Sequence, residues 1–126
     1  MLEIIISNNS PKPIYEQIMS QIKTQIMSGE LAEGTALPSM RGLAKTLSVS
    51  VITVQKSYEE LHKVGLIETT IGRGSFVSGQ NQELVREEKQ KELEALLEQA
   101  VDLAKENGIS YETMADLLRI FYKQED

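Results

Sequence analysis

The stretch LPSMRGLAKTLSVSVITVQKSYEELHKVGLIETTIGRGSFV, residues 37–77, decides how the rest of the chain is read. Ser39 is a good helix N-cap, and Leu43, Ala44 and Leu47 recur behind it at helical spacing. Ser48-Val49-Ser50 makes a tight connection. Ser50 then opens a second helix in which Val51, Val54, Tyr58 and Leu61 recur at helical spacing, and Gly65 closes it as a C′ residue. Two short helices across so brief a turn predict a helix-turn-helix, whose second helix is the one that can enter a DNA major groove. Beyond Gly65, Leu66, Glu68 and Thr70 alternate with Ile67, Thr69 and Ile71, and Ser75-Phe76-Val77 is again β-prone. Gly72-Arg73-Gly74 lies between these runs, so a β-hairpin is expected, with glycines where positive φ is needed. A hairpin directly after a recognition helix predicts a winged helix with a cation at the wing tip.

Working outward, Pro13 favours a helix start, and Ile14, Ile18, Ile22 and Ile26 form a core-facing stripe as far as about Ser28, before Gly29. Glu30 to Ala36 reads as a loop. Glu3-Ile4-Ile5-Ile6 reads as a short strand or as an arm packed on the head. On the other side, residues 78–82 form a small polar linker. A long helix is expected from about Glu83 to Glu106, its first half almost wholly charged, and it could span roughly 36 Å. Asn107-Gly108 stops it, and Ser110 caps a last helix. Leu93, Leu96, Leu97, Ala100 and Leu103 on the first of these helices, and Met114, Leu117, Leu118 and Phe121 on the second, form apolar stripes. Two helices on a short link bury no core of their own unless something packs on them. A homodimer through residues 84–123 is the economical answer. The expected fold class is therefore mostly α with a small β-hairpin wing: a winged helix-turn-helix head over residues 1–79 and a two-helix dimerisation tail over residues 80–126.

Composition bounds the function. At 126 residues with 40% hydrophobic side chains, the chain is one small domain or a domain with an appendage. It has no cysteine and a single histidine, His62, so thiolate metal sites, disulfides and paired-histidine zinc sites are excluded. No cofactor is implied, and no glycine-rich loop links a strand to a helix as a phosphate cradle would. No apolar run approaches the length of a membrane span, and a cytoplasmic location is the expectation. The net charge of −6 seems to oppose DNA binding. It is unevenly placed: residues 1–79 hold seven basic and seven acidic side chains, whereas residues 80–126 hold six and twelve. The acid sits in the tail, and DNA affinity depends on cations near phosphates, not on the overall charge.

Residues 13–77 closely resemble the DNA-binding domain of GntR-family bacterial transcription regulators. The motifs that carry the resemblance are Pro13-Ile14-Tyr15, Ser28-Gly29-Glu30-Leu31, Gly34, Leu37-Pro38-Ser39-Met40-Arg41, Leu43-Ala44, Thr53-Val54, Leu61, Gly65-Leu66-Ile67 and Gly72-Arg73-Gly74-Ser75-Phe76-Val77. The short remainder resembles the small YtrA-type subfamily, in which a two-helix tail serves dimerisation.

The resemblance implies contacts to double-stranded operator DNA from the start of the first helix of the motif, from the recognition helix and from the wing. By position these are Ser39, Arg41, Lys45, Ser50, Val51, Ile52, Thr53, Gln55, Lys56, Gly72, Arg73 and Gly74. Arg41 resembles the family arginine that reaches a base edge, and its fork suits guanine O6 and N7. Ser50 is also a plain N-cap, and the wing glycines also serve turn geometry. Val51-Ile52 departs from the Arg, Pro or Asn of many relatives. These two side chains either meet apolar groups in the groove or belong to the core. The expected function is a dimeric regulator of a palindromic operator, a repressor by steric block, with a small-molecule effector left open. The alternative is a winged-helix module that docks a protein instead of DNA. Nothing in the pattern suggests an enzyme.

Overall fold

The computed structural model describes residues 2–79 and 81–124. The element order is α1 (Ile14–Met27), α2 (Met40–Leu47), α3 (Val51–Lys63), β1 (Ile67–Thr70), β2 (Gly74–Val77), α4 (Gln82–Glu106) and α5 (Tyr111–Lys123). The chain divides into two compact units, Met1–Arg86 and Glu87–Asp126, so the first turn of α4 belongs to the head.

The head forms around α1. Pro13 occupies its cap position, and the Pro13 carbonyl accepts from the Gln17 N–H at 3.1 Å. Ile18, Ile22 and Ile26 are fully buried, as the four-residue spacing requires, and meet Val54, Tyr58 and Leu61 of α3 together with Leu43 and Ala44 of α2 in one core. Leu66, Ile67 and Val77 carry that core into the wing. Two buried hydroxyls tie the elements down. Ser57 Oγ donates to the Tyr15 carbonyl at 2.8 Å, and Tyr58 Oη donates to the Pro38 carbonyl at 2.8 Å. Burial pushes the Tyr58 phenol up to about 12 from its usual 10. The folded state thus favours the protonated ring. Its stabilisation is fully present below pH 10 and is lost as pH rises towards 12, by on the order of 2–3 kcal/mol. Urea melts at pH 9 and pH 11 should show about half of this loss in the parent chain, and a smaller one in Tyr58→Phe.

The connection between α2 and α3 is tight because Ser48 takes the left-handed conformation at φ 57° and ends α2, its N–H bonding the Ala44 and Lys45 carbonyls. A non-glycine residue there bears about 1–2 kcal/mol of strain, more than the roughly 0.4–1 kcal/mol of unfolded-state entropy that glycine would add. Ser48→Gly should therefore raise stability by about 0.5 kcal/mol, read as a higher urea midpoint. Gly65 is constrained twice. Its φ is +79°, and a Cβ there would run into the Asn81 side chain at the entry to α4.

The wing pairs β1 with β2 antiparallel, Ile67 opposite Val77 and Thr70 opposite Gly74, leaving residues 71–73 as the tip. Its outer edge is covered in a way the loop expectation for residues 30–36 missed. Leu37 N–H donates to the Ser75 carbonyl and Val77 N–H to the Thr35 carbonyl, both at 2.9 Å, and Ala36 bridges Phe76. These bonds make residues 35–37 a third, irregular strand that anchors the wing to the start of α2.

The amino-terminal apolar run is an arm and not a regular strand. Three glutamines four residues apart on α1 hold it. The Ile5 N–H donates to Gln21 Oε1 (2.8 Å) while Gln21 Nε2 donates to the Ile5 carbonyl (2.6 Å). Ser7 and Gln17 repeat this at 2.8 and 2.9 Å, and Gln25 Nε2 donates to the Glu3 carbonyl at 2.7 Å. Two residues of extended chain advance about 6.6 Å and four residues of helix about 6 Å, so each side-chain amide meets alternate backbone groups as a neighbouring strand would.

In the second unit, Ser110 caps α5, its Oγ accepting from the Thr113 N–H at 3.1 Å. Among the described residues only Ala104 of this unit is buried. Leu93, Leu96, Leu97, Leu103, Leu117, Leu118 and Phe121 are all exposed, Ala100 likewise, and Met114 is half-buried. Among the described residues no helix is long and apolar enough to cross a membrane.

Candidate nucleic-acid interface

Helix α3 has two faces. Val54, Ser57, Tyr58 and Leu61 point into the core, and Val51, Ile52, Gln55, Lys56 and Glu59 are exposed on the opposite side. The helix begins at a real cap: Ser50 Oγ accepts from the Thr53 N–H at 3.1 Å and shares a 2.7 Å hydrogen bond with Thr53 Oγ1. Its amino-terminal end carries the positive pole of the helix dipole, a favourable place for a phosphate.

Helix α2 is set beside this face by its own cap. Ser39 Oγ accepts from the Gly42 N–H at 3.0 Å, and the Tyr58 bond to Pro38 holds the residue just before that cap. Arg41 and Lys45, four residues apart on α2, are both exposed and therefore share one helix face. At the wing tip Gly72 and Gly74 adopt positive φ (+85° and +79°), and Arg73 is exposed between them.

The cations of the helical surfaces differ in how they are held. Lys63, Arg86, Lys89 and Arg119 each pair with an acid three residues away on their own helix. Arg41, Lys45 and Arg73 make no ion pair or side-chain hydrogen bond among the described residues, so their charge is free for an outside anion. Lys56 is held differently. Its Nζ lies 4.0 Å from the centroid of the Tyr15 ring, a cation–π contact that aims the ammonium without neutralising it. Gln55 Nε2 donates to Glu59 Oε1 at 3.1 Å.

The positions expected from sequence thus fall on the head unit, on the exposed sides of α2, α3 and the wing. Thr53 is half-buried, with its hydroxyl on Ser50. The choice left open for Val51 and Ile52 is resolved outward, at 41% and 76% exposed. Sequence reasoning missed Tyr15 as the support of Lys56 and of Ser57. It also missed Ile71, wholly exposed beside Arg73 at the wing tip. The Tyr15 role has a signal in the Pro13-Ile14-Tyr15 motif, but no spacing rule links residue 15 to residues 56 and 57.

A recognition helix with a free polar and apolar face, an adjacent helix presenting unpaired cations and a basic-tipped wing define a winged helix-turn-helix protein that binds DNA and regulates transcription. The chain belongs to the family described as "Bacterial regulatory proteins, gntR family", whose profile matches residues 14–77. It is 38% identical over 112 residues to the HTH-type transcriptional regulator YhcF of Bacillus subtilis, covering 89% of this chain and 92% of that one. It is 34% identical over 116 residues to the HTH-type transcriptional repressor YtrA of the same organism, covering 92% and 89%. Among solved structures, a transcriptional antiterminator from Listeria monocytogenes superposes with a TM-score of 0.73 at 31% identity, covering 97% of this chain and 91% of that one. The DNA-binding domain of AraR in complex with an operator superposes with a TM-score of 0.54 at 26% identity, covering 61% and 96%. These relatives are regulators and not enzymes, and so is this chain.

Proposed function

We propose that the protein is a cytoplasmic repressor that binds a palindromic operator as a homodimer, with residues 1–79 reading DNA and residues 80–126 holding the two copies together. The unpaired cations on α2 and the wing carry the DNA half of this reading. Arg41 reads a base edge from the start of α2, Lys45, Lys56 and Arg73 neutralise phosphates, and Ser39, Ser50, Thr53 and Gln55 set the register. Gly72 and Gly74 allow the wing backbone close to the duplex.

The tail carries the dimer half. Its two helices expose Leu93, Leu96, Leu97, Leu103, Leu117, Leu118 and Phe121, more apolar surface than a lone helical pair leaves in water. A twofold dimer places two recognition helices about one DNA turn apart and matches a palindrome. Repression follows from occupancy, since a bound dimer blocks polymerase and the small tail offers little surface to recruit it. The name of the relative YtrA, a repressor, agrees with this. A small molecule that altered the dimer, or the setting of the heads upon it, would act as an effector. The test is a nuclease footprint on the DNA upstream of the protein's own gene. Protection of two inverted half-sites about ten base pairs apart, centre to centre, is expected. Protection of a single unrepeated site would contradict the palindrome and the dimer together.

A further inference from the structure

The first turn of the recognition helix is unusual in what it leaves for the groove. Ser50 and Thr53, its two hydroxyl residues, are bonded to each other and to the helix cap, which leaves one hydroxyl proton between them for an outside acceptor. The side chains that project freely from this turn are Val51 and Ile52, 41% and 76% exposed. The inward-facing side of α3 is already filled by Val54, Ser57, Tyr58 and Leu61, so the pair has no place in the core. An Ile–Val pair makes no hydrogen bond to a guanine or adenine edge. In the major groove one base-edge group is apolar, the C5-methyl of thymine. The amino-terminal residues of a recognition helix are those that reach base edges.

We propose that Val51 and Ile52 select thymine by packing on its C5-methyl groups, so that each operator half-site carries thymine under the first turn of α3. The inference rests on the DNA-binding reading above and adds the base class that this turn accepts. The surroundings fit a duplex and not an apolar protein partner. On its own helix Ile52 lies one turn from the exposed Lys56, whose ammonium sits over the Tyr15 ring without being neutralised. An apolar pair one turn from a free cation matches a groove floor bearing methyls beside a phosphate wall. The pair also works by exclusion. Opposite a guanine or cytosine it would strip water from O6, N7 or N4 and return no hydrogen bond, which disfavours those bases.

The test uses the full-length chain and a library of duplexes with a randomised core. After selection, each thymine of the enriched duplex is replaced singly by deoxyuridine, which removes the methyl and keeps every hydrogen-bonding group. We expect one or two positions per half-site at which uracil weakens binding about three- to tenfold. The effect should shrink to less than about twofold in Ile52→Ser or Val51→Ser. Both positions are exposed, and unchanged melting of each variant shows that its fold is intact. A tightly bound duplex indifferent to every uracil would overturn this inference while leaving DNA binding in place. Uracil sensitivity that persists in both serine variants would assign the methyl contact to other residues and overturn it too. No enriched sequence at all would bring down the DNA-binding reading and this inference with it.

Discussion

A chain carrying Leu97→Glu and Phe121→Glu is expected to sediment as a monomer and to bind the operator at least about 100-fold more weakly than the parent. A bound dimer holds the second head at a high effective concentration over its half-site, and separated heads lose that advantage. Neither side chain supports its own unit. Leu97 is 44% and Phe121 62% exposed, and among the described residues of the tail only Ala104 is buried. Glutamate is a good helix former, so α4 and α5 should persist. Buried in an apolar interface, however, each unpaired carboxylate would be costly. Sedimentation velocity at micromolar concentration reads the first effect and fluorescence anisotropy the second. A double variant that stayed dimeric would move the interface elsewhere, to the head or to the arm.

Arg41→Ala should weaken operator binding by about 1–3 kcal/mol and relax the preference at one base position per half-site. The residue is exposed, forms no ion pair among the described residues and follows the Ser39 cap by two positions, so alanine leaves the helix intact. Arg73→Ala makes the informative contrast. A cation at the wing tip that meets a phosphate should lower affinity for every duplex alike, and should reduce the salt slope by about two for a dimer. If Arg41→Ala instead weakened all duplexes equally, Arg41 would be a phosphate contact and base reading would rest on α3 alone.

The head was legible because its signals are local. Caps at Ser39 and Ser50, the isoleucine stripe of α1 and the glycines at positions 65, 72 and 74 act within a few residues, and the elements formed where those signals lie. What escaped was tertiary. Nothing local marks Gln17, Gln21 and Gln25, yet they form the partner of an extended arm ten or more residues away. Residues 35–37 have no alternating pattern, and they complete the wing sheet through backbone bonds that no side chain announces. For the interface, the family motif pointed to Arg41 and Arg73. Whether Val51 and Ile52 faced outward was undecidable from periodicity, because Val51, at the helix start, falls on the rim between the two faces of α3. The Lys56–Tyr15 contact joins two helices far apart in sequence and leaves no trace in either. The tail stripes were plain at helical spacing, but a stripe does not say what covers it.

The most direct test of the central claim is fluorescence anisotropy of the purified protein on its own upstream DNA and on a scrambled duplex, across a salt series. Lys45, Lys56 and Arg73 of two protomers would give six phosphate contacts and a slope of log affinity against log salt near −5. The account predicts that slope together with a specificity gap of about three orders of magnitude or more. Equal, weak binding to both duplexes, with the dimer intact, would contradict it and favour a head that docks a protein.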